Sequence, residues 1–140
     1  MSADRSGPDR IVVSAAIFER DGSFLVTRRP EGVHLSGHWE FPGGKCEPDE
    51  TFAACLEREI REELDAGIAV GAEIFTVSHT YPEREVELHF FRCELLTEPR
   101  PMLGQEMRWV ARDALGALNF PAADEELVTL LTASSRSPRR

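Results

Sequence analysis

The sequence predicts one α+β domain built on a mixed or antiparallel sheet, and three observations carry that expectation. Strand-like segments, a helix, more strand-like segments and a second helix follow one another without the regular alternation of a doubly wound fold. Asp21-Gly22 between two apolar runs is a hairpin signal. Within 84–96, Val86, Leu88 and Phe90 alternate with Glu85, Glu87 and His89, the period of a half-buried strand.

The elements follow in order. Residues 1–9 and 134–140 are polar and rich in Ser, Pro and Arg; they are expected to be a disordered N-terminal tail and a basic C-terminal tail around a domain spanning 10–133. Segments 11–18 and 23–27 form the hairpin strands. Residues 30–39 are a loop leading into Trp39-Glu40-Phe41-Pro42-Gly43-Gly44, whose paired glycines are expected to make a tight turn where backbone carbonyls can approach a metal. Segment 51–64 is the strongest helix, with Thr51 as N-cap and no Gly or Pro inside. Segments 68–81, 84–96 and 107–110 read as strands. Asn119-Phe120-Pro121 introduces a closing amphipathic helix over 124–132. Trp39 and Trp109 are assigned to the core or its rim.

A length of 140 residues fits one domain, and 41% hydrophobic residues exclude a disordered chain. No apolar run approaches the ~20 residues that span a bilayer, and the first ten residues lack a signal-peptide core, so a soluble, non-secreted protein with no membrane partner is expected. Cys46, Cys55 and Cys93 are odd in number, widely spaced and without a CxxC pair; free thiols in a reducing, cytoplasmic compartment are expected, not a disulfide or a zinc site. A net charge of −9 argues against long nucleic acids as partners. The acids are not spread evenly. Residues 44–65 hold eight of them against three bases.

On a helical wheel, Phe52, Ala53, Leu56, Ile60 and Leu64 form the core-facing stripe, and Glu59, Glu62 and Glu63 share a neighbouring arc. Glu63 falls at the edge of the stripe and should be part-buried. Like charges so placed repel, and a part-buried one costs more unless neutralised. A solvated acidic face is the plain alternative. Three carboxylates beside a Gly-Gly segment also suit Mg²⁺, which takes oxygen ligands and keeps waters.

The stretch GGKCEPDETFAACLEREIREELDAG resembles the signature box of Nudix hydrolases: Gly, five residues, Glu, seven residues, then R-E-U-x-E-E-x-G-U with U apolar. Gly44, Glu50, Arg58, Glu59, Ile60, Glu62 and Glu63 fall in register; Asp65 replaces the box's last Gly, which Asp can do in a left-handed helix terminus. Thr27-Arg28-Arg29, Trp39 to Gly44 and Phe120-Pro121-Ala122-Ala123-Asp124 extend the resemblance to the MutT branch. The resemblance implies an α/β/α sandwich, with a mixed sheet between the box helix and a C-terminal helix. It implies metal-dependent cleavage of (deoxy)nucleoside triphosphates to the monophosphate and pyrophosphate, with Mg²⁺ or Mn²⁺. It assigns the Gly43 carbonyl, Glu59, Glu62 and Glu63 as metal ligands, Arg58 as the group orienting Glu59, and Glu50 as loop support. Glu59, alone or with Glu62, is the general base. Leu103 occupies the place from which some members supply a base outside the box, and Glu106 nearby is a weak substitute.

By position, the resemblance gives a nucleotide pocket to Arg29, His34, Glu40, Phe41, Pro42, Gly43, Tyr81, Arg84 and Asp124. Arg29 suits a phosphate or sugar, Phe41 and Tyr81 offer stacking faces, and ionised Asp124 would accept from a base N–H or also cap the last helix. An oxidised guanine nucleotide such as 8-oxo-dGTP leads, with CTP or dCTP as competitor. Another nucleoside diphosphate derivative, including an RNA 5′ end, ranks lower. A non-catalytic nucleotide sensor is a further alternative, but such relatives are expected to have lost box glutamates, and all three are present.

Overall fold

The computed structural model describes residues 9–32 and 36–133, and within them two α-helices and five of the seven strands stand in the expected order, while Trp39–Glu40 and Gly43–Lys45 are strands where a loop and a turn are expected. The elements are β1 (Asp9–Arg20), β2 (Ser23–Arg28), β3 (Trp39–Glu40), β4 (Gly43–Lys45), α1 (Phe52–Leu64), β5 (Ile68–Thr80), β6 (Arg84–Leu95), β7 (Glu106–Ala111) and α2 (Glu125–Ala133). Two 3-10 turns, Arg112–Ala117 and Ala122–Asp124, lead into α2. The expected N-terminal tail through residue 8, the C-terminal tail 134–140 and His34 lie outside the described residues; Asp9 already belongs to β1.

The sheet runs β3-β2-β1-β6-β5, with β4 on β1 and β7 on β2. It is mixed because β1 and β6 are parallel over ten residue pairs while the other pairings are antiparallel. The hairpin turn at Asp21-Gly22 has positive φ at both residues (53° and 79°), the backbone that Asp-Gly favours and that matches strand twist.

Strand alternation sends side chains to two cores. Ala15, Ile17, Phe24, Val26 and Phe90 pack toward α2 with Leu127, Val128 and Leu131. Ala16, Phe18, Leu25, Phe91 and Cys93 pack toward α1, whose Leu56, Ile60 and Leu64 are fully buried. The sheet therefore lies between the two helices. Trp39 belongs to the first core, and Trp109 packs against the second.

β1 and β2 pair only through Glu19↔Phe24 and Arg20↔Ser23 and then diverge. β4 takes over the edge of β1 at Val13, Ser14 and Ala15, and the Ala16 N–H donates to the Pro42 carbonyl at 2.8 Å. This split brings segment 41–46 beside α1. The Gly-Gly turn expected there is a strand, and neither glycine has positive φ. Gly43 and Gly44 serve close approach instead.

α1 begins as its N-cap predicts, with the Thr51 hydroxyl accepting from the Ala54 N–H at 3.1 Å. It ends at Asp65 in the left-handed conformation (φ 52°), and the Asp65 N–H donates to the Arg61 carbonyl. Thr51→Ala should lower stability by about 1 kcal/mol in urea denaturation at unchanged m-value. A midpoint equal to wild type would show that the cap contributes nothing.

Candidate active site

Helical spacing puts Arg58 beside a chain of acids, and its guanidinium orders them. Nε and Nη2 donate to the two oxygens of Glu50 at 2.7 and 2.8 Å, a forked pair. Nη1 donates to Glu59 Oε2 at 2.8 Å and lies 3.7 Å from Glu62. Glu50 also accepts from the Glu47 N–H, and the Arg58 hydrogen bonds hold its carboxyl well below the usual range. Glu50 thus fixes the loop and the arginine, while Arg58 fixes Glu59.

The β4 register completes the arrangement. The Ala16–Pro42 and Cys46–Val12 hydrogen bonds make Ser14 and Gly44 a hydrogen-bonded pair, so the N–H and C=O of Gly43 point away from β1. The Gly43 N–H faces the Glu63 carboxyl and favours its charged form. A Cβ on Gly43 would lie 2.1 Å from the Ser14 carbonyl oxygen, and one on Gly44 would lie 2.2 Å from the Glu59 carboxyl. Gly44 therefore lets the strand close onto Glu59.

Glu63 is half-buried, as the wheel predicts. Burial, a hydrogen bond with Glu59 and the charges of Glu59 and Glu40 raise its pKa far above the usual carboxylate range. Two carboxyls so close ionise together only when a further cation offsets their charge. Among the described residues, no three ligating side chains already enclose one point. Two adjacent carboxylates, an outward-facing Gly43 carbonyl and Glu62 on the exposed rim do fit a hard cation that completes its shell with water and phosphate oxygens.

From Glu63 and Gly43 a cavity of about 730 Å³ opens along β1 and β6. Its floor is Ile11, Val13, Ala15, Val86, Leu88 and Phe90; from Ala15 to Ile11 the strand rises ~13 Å. Arg29, Glu40, Phe41, Tyr81, Arg84 and Asp124 line it together, as expected. Tyr81 and Arg84 reach its mouth because their backbones bond across the β5–β6 turn, at 2.7 and 3.3 Å. Arg29 and Glu40 pair at 3.0 Å. Burial raises the Glu40 pKa despite that partner.

Several expectations change. Pro42 is fully buried and does not line the cavity; its contribution is the carbonyl that receives Ala16. Phe41 is buried with one face stacked on Phe120 at 5.2 Å and meets Phe90 edge-on at 6.2 Å, so less of its ring is open for stacking. Asp124 is 5% exposed and, among the described residues, its carboxyl receives no hydrogen bond. Burial, then the charge of Glu40, raises its pKa to about 7. It is therefore a neutral carboxyl over much of the range in which the sequence treats it as ionised, able to donate as well as accept.

Cys46 and Cys55 form a disulfide, with Cα atoms 5.3 Å apart. This corrects the expectation of free thiols: β4 delivers Cys46 against the first turns of α1, a proximity that spacing does not reveal. Cys93 is a buried free thiol. Lys45, on the cavity wall beside Gly44, was also missed; the GGK triplet was its signal. At the later loop, the Glu63 carbonyl accepts from the Met102 N–H and from Gln105 Nε2, while Leu103 points its side chain to solvent. Glu106 is engaged by Arg28 and Arg108. Neither supplies a carboxylate to the cavity wall.

The NUDIX domain family profile matches residues 13–130. An 8-oxo-dGTP diphosphatase of Haemophilus influenzae is 36% identical over 121 residues, covering 84% of this chain and 88% of that protein. A CTP pyrophosphohydrolase of Escherichia coli is 44% identical over 79 residues, covering 56% of this chain and 58% of that protein. The E. coli ORF135 protein has a similar structure, with a TM-score of 0.82 at 31% identity over 95% of this chain and 96% of that one. MutT from methicillin-resistant Staphylococcus aureus 252 is also similar, with a TM-score of 0.76 at 33% identity over 91% of this chain and 99% of that one.

Gly44→Ala should weaken Mn²⁺ binding by at least ~10-fold, read by electron paramagnetic resonance, in a protein that still folds; wild-type affinity would show that the close approach is unnecessary. Asp124 keeps its proton in the folded chain up to about pH 7 and loses it near pH 3.8 when unfolded, so the native state binds more protons between. Stability therefore falls as pH rises through that window. In urea denaturation from pH 4.5 to 7.5, wild type should lose stability relative to Asp124→Asn; parallel pH profiles would contradict the assignment.

Proposed function

The chain belongs to the Nudix family, and from that membership we propose that it hydrolyses nucleoside triphosphates to the monophosphate and pyrophosphate in the cavity between Glu63 and Asp124. Its family acts on phosphoric anhydride bonds and needs a divalent metal. Mg²⁺ is our choice of ion, with Mn²⁺ as substitute, and 10–133 is the catalytic domain in this reading. The observation that carries it is the Glu59–Glu63 carboxyl contact beside Gly43, opening onto a cavity with a buried carboxyl, unbonded among the described residues, in its walls.

A bound divalent cation would offset phosphate charge, polarise the phosphorus and acidify a water. Glu59, Glu62, Glu63 and the Gly43 carbonyl would hold it. Arg58 orients Glu59 through one oxygen, and Glu59 would take the proton of the attacking water. Glu62 is the alternative acceptor. Lys45 and Arg29, with Arg84 at the mouth, supply cationic groups of the wall for phosphate oxygens. Apolar residues of β1 and β6 exclude water along the floor.

Asp124 would read the base. Neutral, it both donates and accepts, which suits the mixed edge of an oxidised guanine, as in 8-oxo-dGTP. Ionised, it accepts from an exocyclic amine, which suits cytosine. The diphosphatase relative supports the first reading over more of the chain; the CTP pyrophosphohydrolase supports the second at higher identity over less of it. The oxidised nucleotide leads. Triphosphate pools place the work in the cytoplasm in this reading, with no long nucleic acid or membrane as partner.

With Mg²⁺ and a panel of normal and oxidised triphosphates, pyrophosphate should be released; orthophosphate would overturn the cleavage site. Glu59→Gln should lower kcat at least ~10²-fold with little change in nucleotide binding. Near-normal turnover would remove Glu59 as base. Asp124→Asn should reorder the preferred bases without abolishing hydrolysis, and an unchanged order would remove Asp124 from recognition.

A further inference from the structure

The disulfide sits at a consequential point of the fold. Cys46 directly follows β4, and Cys55 lies at the end of the first turn of α1. The ring they close contains Glu50, which holds Arg58, and Thr51, which caps the helix. One residue before Lys45, Gly44 abuts the Glu59 carboxyl. The bond therefore ties the strand that carries the Gly43 carbonyl to the helix that carries Glu59 and Glu63.

The surroundings suit thiol chemistry. Ser14 is fully buried, and its hydroxyl lies 3.1 Å from Cys55 Sγ and 3.3 Å from Cys46 Sγ. A buried hydroxyl whose partners are two sulfurs can donate to whichever carries negative charge. Cys46 is half-exposed while Cys55 is fully buried, so one sulfur can meet a reagent and the other can only resolve what forms. A disulfide is transient in a reducing compartment, where thiols are regenerated.

We propose that Cys46 and Cys55 are a reversible redox site whose oxidation staples the metal-binding strand to the box helix and tightens divalent-metal binding. The oxidant is a hydroperoxide. The Cys46 thiolate attacks the peroxide oxygen, giving a sulfenic acid and releasing an alcohol or water; the Cys55 thiol then displaces water from that sulfur and the S–S bond forms. Two thiols lose two electrons and two protons, and the peroxide gains them. A dithiol reverses the reaction by exchange. The oxidised form has its oxygen ligands preorganised, whereas the reduced form must order the strand and loop on binding. The metal arm of this inference rests on the site assigned under the proposed function.

The test uses the full chain, reduced with a dithiol or treated with hydrogen peroxide. Maleimide labelling after denaturation should count three thiols in the reduced protein and one, Cys93, in the oxidised. Burial pushes the Cys93 thiol up to about 11, so it should remain unreacted as the internal standard. Oxidation should raise the melting temperature by roughly 5–10 °C and tighten Mn²⁺ binding by about 3–10-fold. Cys46→Ser should fold, bind Mn²⁺ like the reduced protein, and ignore peroxide. Three labelled thiols after peroxide, or a disulfide without the melting and affinity changes, would overturn the proposal. No Mn²⁺ binding in either state would strike the metal-site assignment instead, with thiol count and melting shift still deciding the staple.

Discussion

The site depends on one close approach: the backbone of Gly44 against the carboxyl of Glu59, at a distance that leaves no room for a Cβ. Everything nearby keeps that contact possible. The sheet splits after a two-pair β1–β2 contact, freeing the edge of β1 for β4. The Pro42 carbonyl anchors the incoming strand to Ala16, and the Arg58 fork, braced by Glu50, keeps Glu59 from swinging away. Three buried apolar residues of α1 press the helix onto the sheet, each contributing about 1.5–3 kcal/mol of transfer free energy. That is the scale needed to hold a helix whose acidic face opposes itself.

Much of this was legible because local signals agreed. The Thr51 cap, the Asp21-Gly22 turn, the left-handed Asp65 and the part-burial of Glu63 each follow from short-range rules, and each stands in the fold. What could not be read depends on register between distant segments. Gly-Gly carries the same letters in a turn and in an edge strand; only pairing with Ser14 decides between them. The Cys46–Cys55 bond needs the end of β4 laid against the first turns of α1, and cysteine spacing carries no such information. Pro42 shares a motif with pocket residues but is buried beside them. Asp124 has an ordinary letter in an extraordinary dielectric, and burial is a property of the packed whole.

The overall charge takes on a different meaning once its geometry is known. A protein of charge −9 is a poor partner for triphosphate at long range. Its acids, however, are gathered where oxygen ligands are wanted, and Lys45 and Arg29 line the cavity those acids border. A cation would reverse the local field at that end while the rest of the surface stays acidic. Acidity and phosphate chemistry are compatible here because the charge that matters is local.

Glu40 joins the two ends of the cavity electrostatically. Its charge raises the pKa of Glu63 on one side and of Asp124 on the other, while its own partner is Arg29. A positive charge beside Glu63 lowers the cost of ionising Glu40, and an ionised Glu40 in turn favours the neutral form of Asp124. Phosphate drawing Arg29 away from Glu40 acts in the opposite direction, since Glu40 then loses the partner that keeps it charged. Glu40 thus stands between the acidic end of the cavity and Asp124, and its charge acts on both.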